Sequence, residues 1–299
     1  MSEANEALPT VEEKNRIMEG TLYLVATPIG NLSDLSARAV KVLSEVDFIA
    51  AEDTRNTKRL LQYLGIRKEL VSYHEHNKMQ RGPELISRLL AQESCALVTD
   101  AGMPAISDPG EDLVRLAAQA GVTVTVIPGA CAAISALAVS ALPTGKFVFE
   151  GFLPAVKGER KKRLTALKPE TRTLIFYEAP HKLRATLADL ALVFGERQMA
   201  LCRELTKKNE EILRMSTADA VAYYQEKEPR GEYVLIVEGT RETNAPSDNH
   251  DLSSLPPREH IALYLGKGFS RMDAMKAAAK DRGMTKSAFY SLLCEEDRD

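Results

Sequence analysis

The sequence predicts two consecutive α/β domains followed by a small helical unit. Short β-branched runs alternate with helix-patterned stretches from Thr21 onward, and the alternation starts afresh at "FVFEGF", Phe147 to Phe152. A polar, turn-rich segment then precedes three short helical patterns at the carboxyl-terminal end.

The first strand is "TLYLVAT", from Thr21. A helix follows over Leu35 to Val46, because Leu35, Ala39, Val42, Leu43 and Val46 fall on one face. "DFIAAE", "ALVTD" and "VTVTVIP" are the next strands, with further helical segments between them, which is the pattern of a mostly parallel sheet. The second series runs through "FVFEGF", "TLIFYEA", "ALCREL" and "YVLIVEG", with helices around Arg160 to Leu167, His181 to Val193 and Thr217 to Gln225. The domains are accordingly a disordered tail over 1–19, an α/β domain over 20–144, a second over 145–240, a linker over 241–257 and a helical unit over 258–299.

In the helical unit the first helix covers Arg258 to Leu265 and is closed by Gly266 and Gly268. The second opens at Ser270 with Asp273 in capping-box spacing; Gly283 ends it and Thr285 caps the third. A glycine-bearing turn between the last two helices suits a helix-turn-helix, and a cap used for dimerisation fits as well. From Asp251 to Tyr290 there are seven Lys and Arg against four Asp and Glu, a surplus compatible with phosphate contact.

Composition narrows the function classes. The 299 residues are 44% hydrophobic and 27% charged, with a formal net charge of -3, which argues against a uniformly basic nucleic-acid coat. Four scattered cysteines without a CxxC pair point to a reducing cytosol, and the acidic first residues lack a signal-peptide pattern. Leu116 to Gly145 carries no charge, but Pro128-Gly129 divides it into a β-branched run and an alanine-rich one, so a buried strand, turn and helix is expected, not a membrane span.

Ligands of open α/β sheets sit outside the carboxyl ends of the strands. There this chain carries "TPIGNLSD", "TDAGMPAISDPG", "PGACAA" and "YEAPHK", small residues that let something approach the backbone closely. None fits GxGxxG or a Walker P-loop, and the lack of basic residues within the first three suits a ligand that is not polyanionic.

"TPIGNLSD", "AEDTRNTKRLL", "SYHEHN", "TDAGMPAISDPG", "VIPGACAAISALAVSALP", "FYEAPHK" and "CRELTKKNEE" occur in this order between Thr27 and Glu211. Together they resemble the tetrapyrrole-methylase-type enzymes, two-domain α/β proteins that use S-adenosylmethionine, and within them the branch that methylates a cytidine ribose 2'-hydroxyl in small-subunit (16S) ribosomal RNA. The resemblance spans roughly Gly20 to Gly239 and implies that donor, a ribosomal RNA or small ribosomal subunit as partner, a homodimer and a cytoplasmic location. Nothing in composition or periodicity indicates the methyl donor.

Carried over position by position, the resemblance implies a donor pocket of Pro28, Asp100, Gly102, Ala105, Ile106, Pro128, Gly129 and Ala132, joined from the second domain by Tyr177, Glu178, Leu205, Gly231 and Glu232. Ala105 and Ala132 equally suit core packing, and Tyr177 a half-buried strand aromatic. Methyl transfer to a hydroxyl needs in-line positioning and a group to take the proton, but no metal. Asp53, beside Glu52 at the end of the second strand, is the expected base, with helix N-capping as its alternative role; Glu204 is the second choice.

His74 and His76 form an HxH without a third ligand, so no metal is expected. A flexible polar loop touching RNA is the better reading of that segment. "KGERKKR" places Lys157, Arg160, Lys161, Lys162 and Arg163 where they suit either a solvated helix start or phosphate contact, and Arg55 is a further candidate RNA contact. Two other functions stay open: methylation of a tetrapyrrole, and a helix-turn-helix nucleic-acid-binding protein whose α/β body senses a small ligand. Asp108 is expected to cap the helix that begins near Gly110.

Overall fold

A computed structural model of the chain describes residues 15–240, 255–266 and 269–296. Most of the tail expected over 1–19, most of the linker expected over 241–257 and the glycine at 268 lie outside the described residues.

The first sheet holds β1 (Thr21–Val25), β2 (Phe48–Ala51), β3 (Glu69–Ser72), β4 (Cys95–Val98) and β5 (Thr123–Ile127) in the order β3-β2-β4-β1-β5. Its four pairings are all parallel. Alternate residues feed two cores: Leu22, Phe48, Ala50, Cys95 and Leu97 face one side, and Tyr23, Val25, Ile49, Ala51, Ala96 and Val98 the other. Burial on both faces is why β1, β2 and β4 read as apolar runs. Helices α1 (Ala37–Glu45), α2 (Thr54–Tyr63), α3 (Lys78–Leu90) and α4 (Gly110–Gln119) make the crossovers and cover the two faces.

The second sheet is mixed. It orders β6 (Phe147–Phe152), β7 (Thr173–Glu178), β8 (Gln198–Arg203), β9 (Glu211–Ser216) and β10 (Tyr233–Val237) as β6-β7-β10-β8-β9. Only β6 and β7 run parallel; β10 pairs antiparallel with β7 and β8, and β8 with β9. Between them stand α6 (Lys157–Leu167), α7 (Pro180–Phe194) and α8 (Thr217–Glu226), the last opened by a capping box between Ser216 and Asp219. Strands β3 and β9 were not expected from sequence. Both are edge strands of largely half-buried residues, so neither shows the apolar run or clean alternation that marks a strand.

The charge-free stretch resolves as β5, a turn and α5 (Ala132–Val139). Although α5 follows the first sheet, it packs Ala133, Ala136 and Leu137 against Ile175, Ala200, Cys202, Val234 and Ile236 of the second. That helix ties the sheets together, and the described residues up to Thr240 form one compact unit. No helix among the described residues is long and apolar enough to cross a membrane.

The remaining unit holds α9 (Pro257–Gly266), α10 (Arg271–Asp281) and α11 (Lys286–Glu296) around Ile261, Ala274, Ala278 and Phe289. Its punctuation follows the sequence. Ser270 accepts from the Asp273 amide, Gly283 has φ 63°, and the Thr285 hydroxyl accepts from the Ala288 amide.

Candidate active site

A cavity of about 560 Å³ opens between the two sheets of the first unit, walled by strand-end loops of both. Its volume falls within the roughly 300–1,000 Å³ usual for small-molecule and cofactor sites.

The loop after β4 forms one wall. Gly102 has φ 86°, a conformation L residues rarely adopt, and pairs with the loop after β1 through Thr27 N–H to Gly102 O at 2.9 Å and the reverse bond at 3.0 Å. A β-carbon on Gly102 would lie 3.2 Å from Ile29 Cγ2. Ala105 and Ser107 also have positive φ, 67° and 66°. Asp108 holds this strained path by accepting from the amides of Ala105 (2.9 Å), Ile106 (3.2 Å) and Gly110 (2.7 Å). It therefore does more than cap α4, whose N-cap position is Pro109. Burial raises the Asp108 carboxyl above its ordinary range despite those three donors.

The opposite wall is the turn after β8. Glu204 and Thr206 have φ 51° and 66°, and Gly231 lies so close that a β-carbon there would be 2.5 Å from Glu204 Cγ. The Glu204 carboxylate accepts from the Glu232 amide at 3.0 Å and from Lys207 Nζ at 2.9 Å; Lys207 also reaches Glu232 Oε2 at 2.9 Å. Burial alone would raise Glu204, but the Glu232 amide and the Lys207 ammonium outweigh it and hold the carboxyl low. Tyr177 packs edge-on to Phe149 and Phe152, with ring centres 5.1 and 5.5 Å away, and burial pushes its hydroxyl up to about 12.

Among the residues lining the cavity, six carboxylates (Glu52, Asp100, Asp108, Glu178, Glu204, Glu232) stand against one cation, Lys207. Such a site attracts a positively charged ligand and repels phosphates. Buried Glu178 is spent internally, accepting from the Ala179 amide and the Thr186 hydroxyl. Asp100 has a single side-chain partner, Asn56 Nδ2 at 3.2 Å, and partial burial together with Glu52 raises its carboxyl.

Of the residues expected to hold the donor, the cavity wall includes Asp100, Gly102, Ile106, Ala132, Tyr177, Glu178, Leu205 and Glu232. Ala105, Pro128, Gly129 and Gly231 are not on it; they shape the turns behind, where a β-carbon on Gly129 would lie 2.9 Å from Ala26 Cβ. Pro28 lines a smaller neighbouring cavity. Glu52, Met103, Cys131, Phe152 and Lys207 line the main cavity and were not singled out from sequence. Its place directly after the carboxyl end of β2 could have found Glu52, which lines the cavity and accepts from the Thr99 hydroxyl at 2.7 Å.

Three expectations need correction. Asp53 is not on the cavity wall: its carboxylate caps α2 by accepting from the Arg55 amide at 2.8 Å and binds the Arg55 guanidinium at 2.6 Å. Those bonds hold its carboxyl at about 2, which makes it a poor proton acceptor. Arg160 is buried, not an RNA contact. Its guanidinium pairs with buried Asp189 at 2.8 Å and donates to the Ala155 carbonyl. The rest of that basic cluster divides: Arg163 pairs with Glu150, Lys161 stands 3.9 Å from Asp189, and Lys157 and Lys162 are exposed. His76 is exposed while His74 is half-buried, and Asn77 ties their segment by accepting from the His74 amide and donating to the Ser72 carbonyl. The segment is thus braced, not a loose loop.

The family described as Tetrapyrrole (Corrin/Porphyrin) Methylases matches residues 21–221, from β1 into α8. The uroporphyrin-III-C-methyltransferase of Thermus thermophilus shares the fold with a TM-score of 0.53 at 22% identity, over 73% of this chain and 94% of that one. The fold is thus that of the tetrapyrrole methylase class. Two proteins named ribosomal RNA small subunit methyltransferase I are far more similar. That of Halalkalibacterium halodurans is 50% identical over 93% of this chain and 96% of its own, and that of Pseudomonas aeruginosa 51% identical over 91% and 95%. The chain belongs to the ribosomal RNA small subunit methyltransferase I family.

Proposed function

We propose that this protein transfers a methyl group from S-adenosylmethionine to the 2'-hydroxyl of a cytidine ribose in small-subunit (16S) ribosomal RNA. The observation that carries the reading is the near-full-length similarity to proteins named for methylating that RNA, which extends past the α/β unit into the helical one. The tetrapyrrole enzyme's similarity covers less of the chain and bears on fold alone.

The cavity suits the donor. Met103, Ile106, Leu205 and Tyr177 offer apolar surface for a purine, Gly102 allows close backbone approach, and the carboxylate excess favours a cationic ligand. S-adenosylmethionine, when bound, supplies an electrophilic methyl on a positively charged sulfur and leaves as a neutral thioether. The chain's part is to exclude water, hold the ribose and accept the hydroxyl proton.

Asp100 is the carboxylate best fitted to accept it. It lines the cavity, has one side-chain hydrogen-bond partner, and its carboxyl is raised; Glu204 lies on the opposite wall and is committed to Lys207 and the Glu232 amide. A raised carboxyl is a stronger base, and it becomes protonated, hence inactive, at a higher pH than an ordinary aspartate. Single-turnover rates should therefore fall on the acid side as pH drops through the raised value. Asp100→Asn should remove that limb and slow transfer by roughly 100-fold or more while donor binding persists. Unchanged transfer by Asp100→Asn with slow transfer by Asp53→Asn would return the role to Asp53.

Lys157, Lys162, Arg55 and His76 are exposed and belong to the RNA-facing surface in this reading, with the helical unit as a further grip on RNA or ribosome. A homodimer is also part of it, supported by exposed Val126, Ile134, Val139 and Phe147 on β5, α5 and β6. Sedimentation of the full chain as a monomer at micromolar concentration would remove the dimer. A cytoplasmic location agrees with the free thiols of Cys95, Cys131 and Cys202.

The decisive experiment incubates the protein and methyl-labelled S-adenosylmethionine with naked 16S RNA, small ribosomal subunits and a precorrin-type tetrapyrrole. Label in RNA, mapped to a cytidine 2'-oxygen, is expected. Label in the tetrapyrrole alone overturns the reading, and donor binding with no transfer to any of the three favours a ligand sensor.

A further inference from the structure

Beside the donor cavity lies a second one of about 260 Å³, and the two share Thr99 and Asp100 as a common wall. Its outer side comes from α2, which contributes Asn56, Arg59 and Tyr63, and from Pro28 and Leu32 of the first strand-end turn. Tyr63 is 68% exposed, unusual for a tyrosine with a cavity beside it. Neither its hydroxyl nor the Arg59 guanidinium has a hydrogen-bond or ion-pair partner among the described residues. The same helix exposes Lys58 beside Arg59, so two cations flank the second cavity, whose one carboxylate is the shared Asp100, whereas six carboxylates line the first.

These features divide the labour that a ribose methyltransfer requires. The acidic donor cavity repels a polyanionic strand, so the strand's phosphates must lie outside it while one ribose reaches Asp100. The base on that ribose then needs a place within one nucleotide's reach of the shared wall. We propose that the second cavity receives the pyrimidine base of the methylated nucleotide, stacked on Tyr63, with Arg59 and Lys58 holding the flanking phosphates. An exposed aromatic ring beside cations is the usual way proteins bind an unstacked base. Asn56 adds selectivity: its amide nitrogen is donated to Asp100, which leaves its carbonyl oxygen as the acceptor offered to an exocyclic amino group. This assignment rests on the RNA-methylating reading above.

The test uses the full chain with small ribosomal subunits and labelled S-adenosylmethionine, comparing wild type with Tyr63→Ala, Tyr63→Phe and Arg59→Ala. Both residues are exposed, so thermal melting and calorimetric donor affinity should match wild type. Tyr63→Ala should raise KM for the subunits by roughly five-fold or more, the usual loss when a stacking ring is removed. Tyr63→Phe, which keeps the ring, should recover most of that loss. Arg59→Ala should raise KM and flatten its dependence on salt. Wild-type KM in both alanine variants overturns the base subsite while leaving the function standing. A wild-type protein that labels neither the subunits nor naked 16S RNA overturns the function and the subsite with it.

Discussion

Gly102→Val is expected to weaken S-adenosylmethionine binding by roughly 100-fold, and methyl transfer with it. Two costs combine. At φ 86° a β-branched residue is strained, and its β-carbon would sit 3.2 Å from Ile29 Cγ2 before its methyls are counted. The loop can relieve this only by breaking the paired bonds between Gly102 and Thr27, which move the wall carrying Asp100 and Ile106. Calorimetric titration of the variant measures the loss. Adding Ile29→Ala should restore only part of it, since the clash disappears but the backbone strain persists. Wild-type affinity in Gly102→Val would show that this loop does not bound the donor site.

The largest stability effect is expected at a position that sequence placed on the RNA-binding surface. Arg160→Ala should lower the unfolding free energy by about 3–5 kcal/mol, because it leaves the buried Asp189 carboxylate without its guanidinium. Lys161 at 3.9 Å from Asp189 can reorient and offset part of this, which favours the lower end. Urea titration measures it. The double variant Arg160→Met, Asp189→Leu should regain most of the loss, since two apolar side chains replace a desolvated pair. Lys162→Ala, on the exposed face of the same helix, should shift the midpoint little. If Arg160→Ala kept full stability but lost affinity for RNA, the buried-pair account would fail.

The two positions differ in how much a sequence can say about them. Gly102 was legible because a glycine among small residues at a strand end reports a local backbone demand. Arg160 was misread because "KGERKKR" is identical whichever of its cations turns inward. Helical periodicity puts Arg160 on the stripe of Leu164 and Leu167, but only the packing of α6 against α7 brings Asp189 to meet it. Asp53 teaches the same lesson at shorter range. Its N-cap role was visible in "EDTRN", while the fork to Arg55 that lowers its carboxyl needed side-chain geometry.

Strands β1, β2, β4 and β5, the caps at Ser270 and Thr285, and the tight small-residue turn after β4 were all present in local pattern, since each depends on neighbours within a few residues. The edge strands β3 and β9 were not, because a half-exposed edge needs no apolar face. Nor were the docking of α5 onto the second sheet, the carboxylate excess of the main cavity, or the sharing of Asp100 with a second cavity. Each of these joins residues far apart in the chain. Local pattern dictates a segment's conformation, whereas the neighbour that each buried face or charge meets depends on how the segments pack, and that packing sets the chemistry of the site.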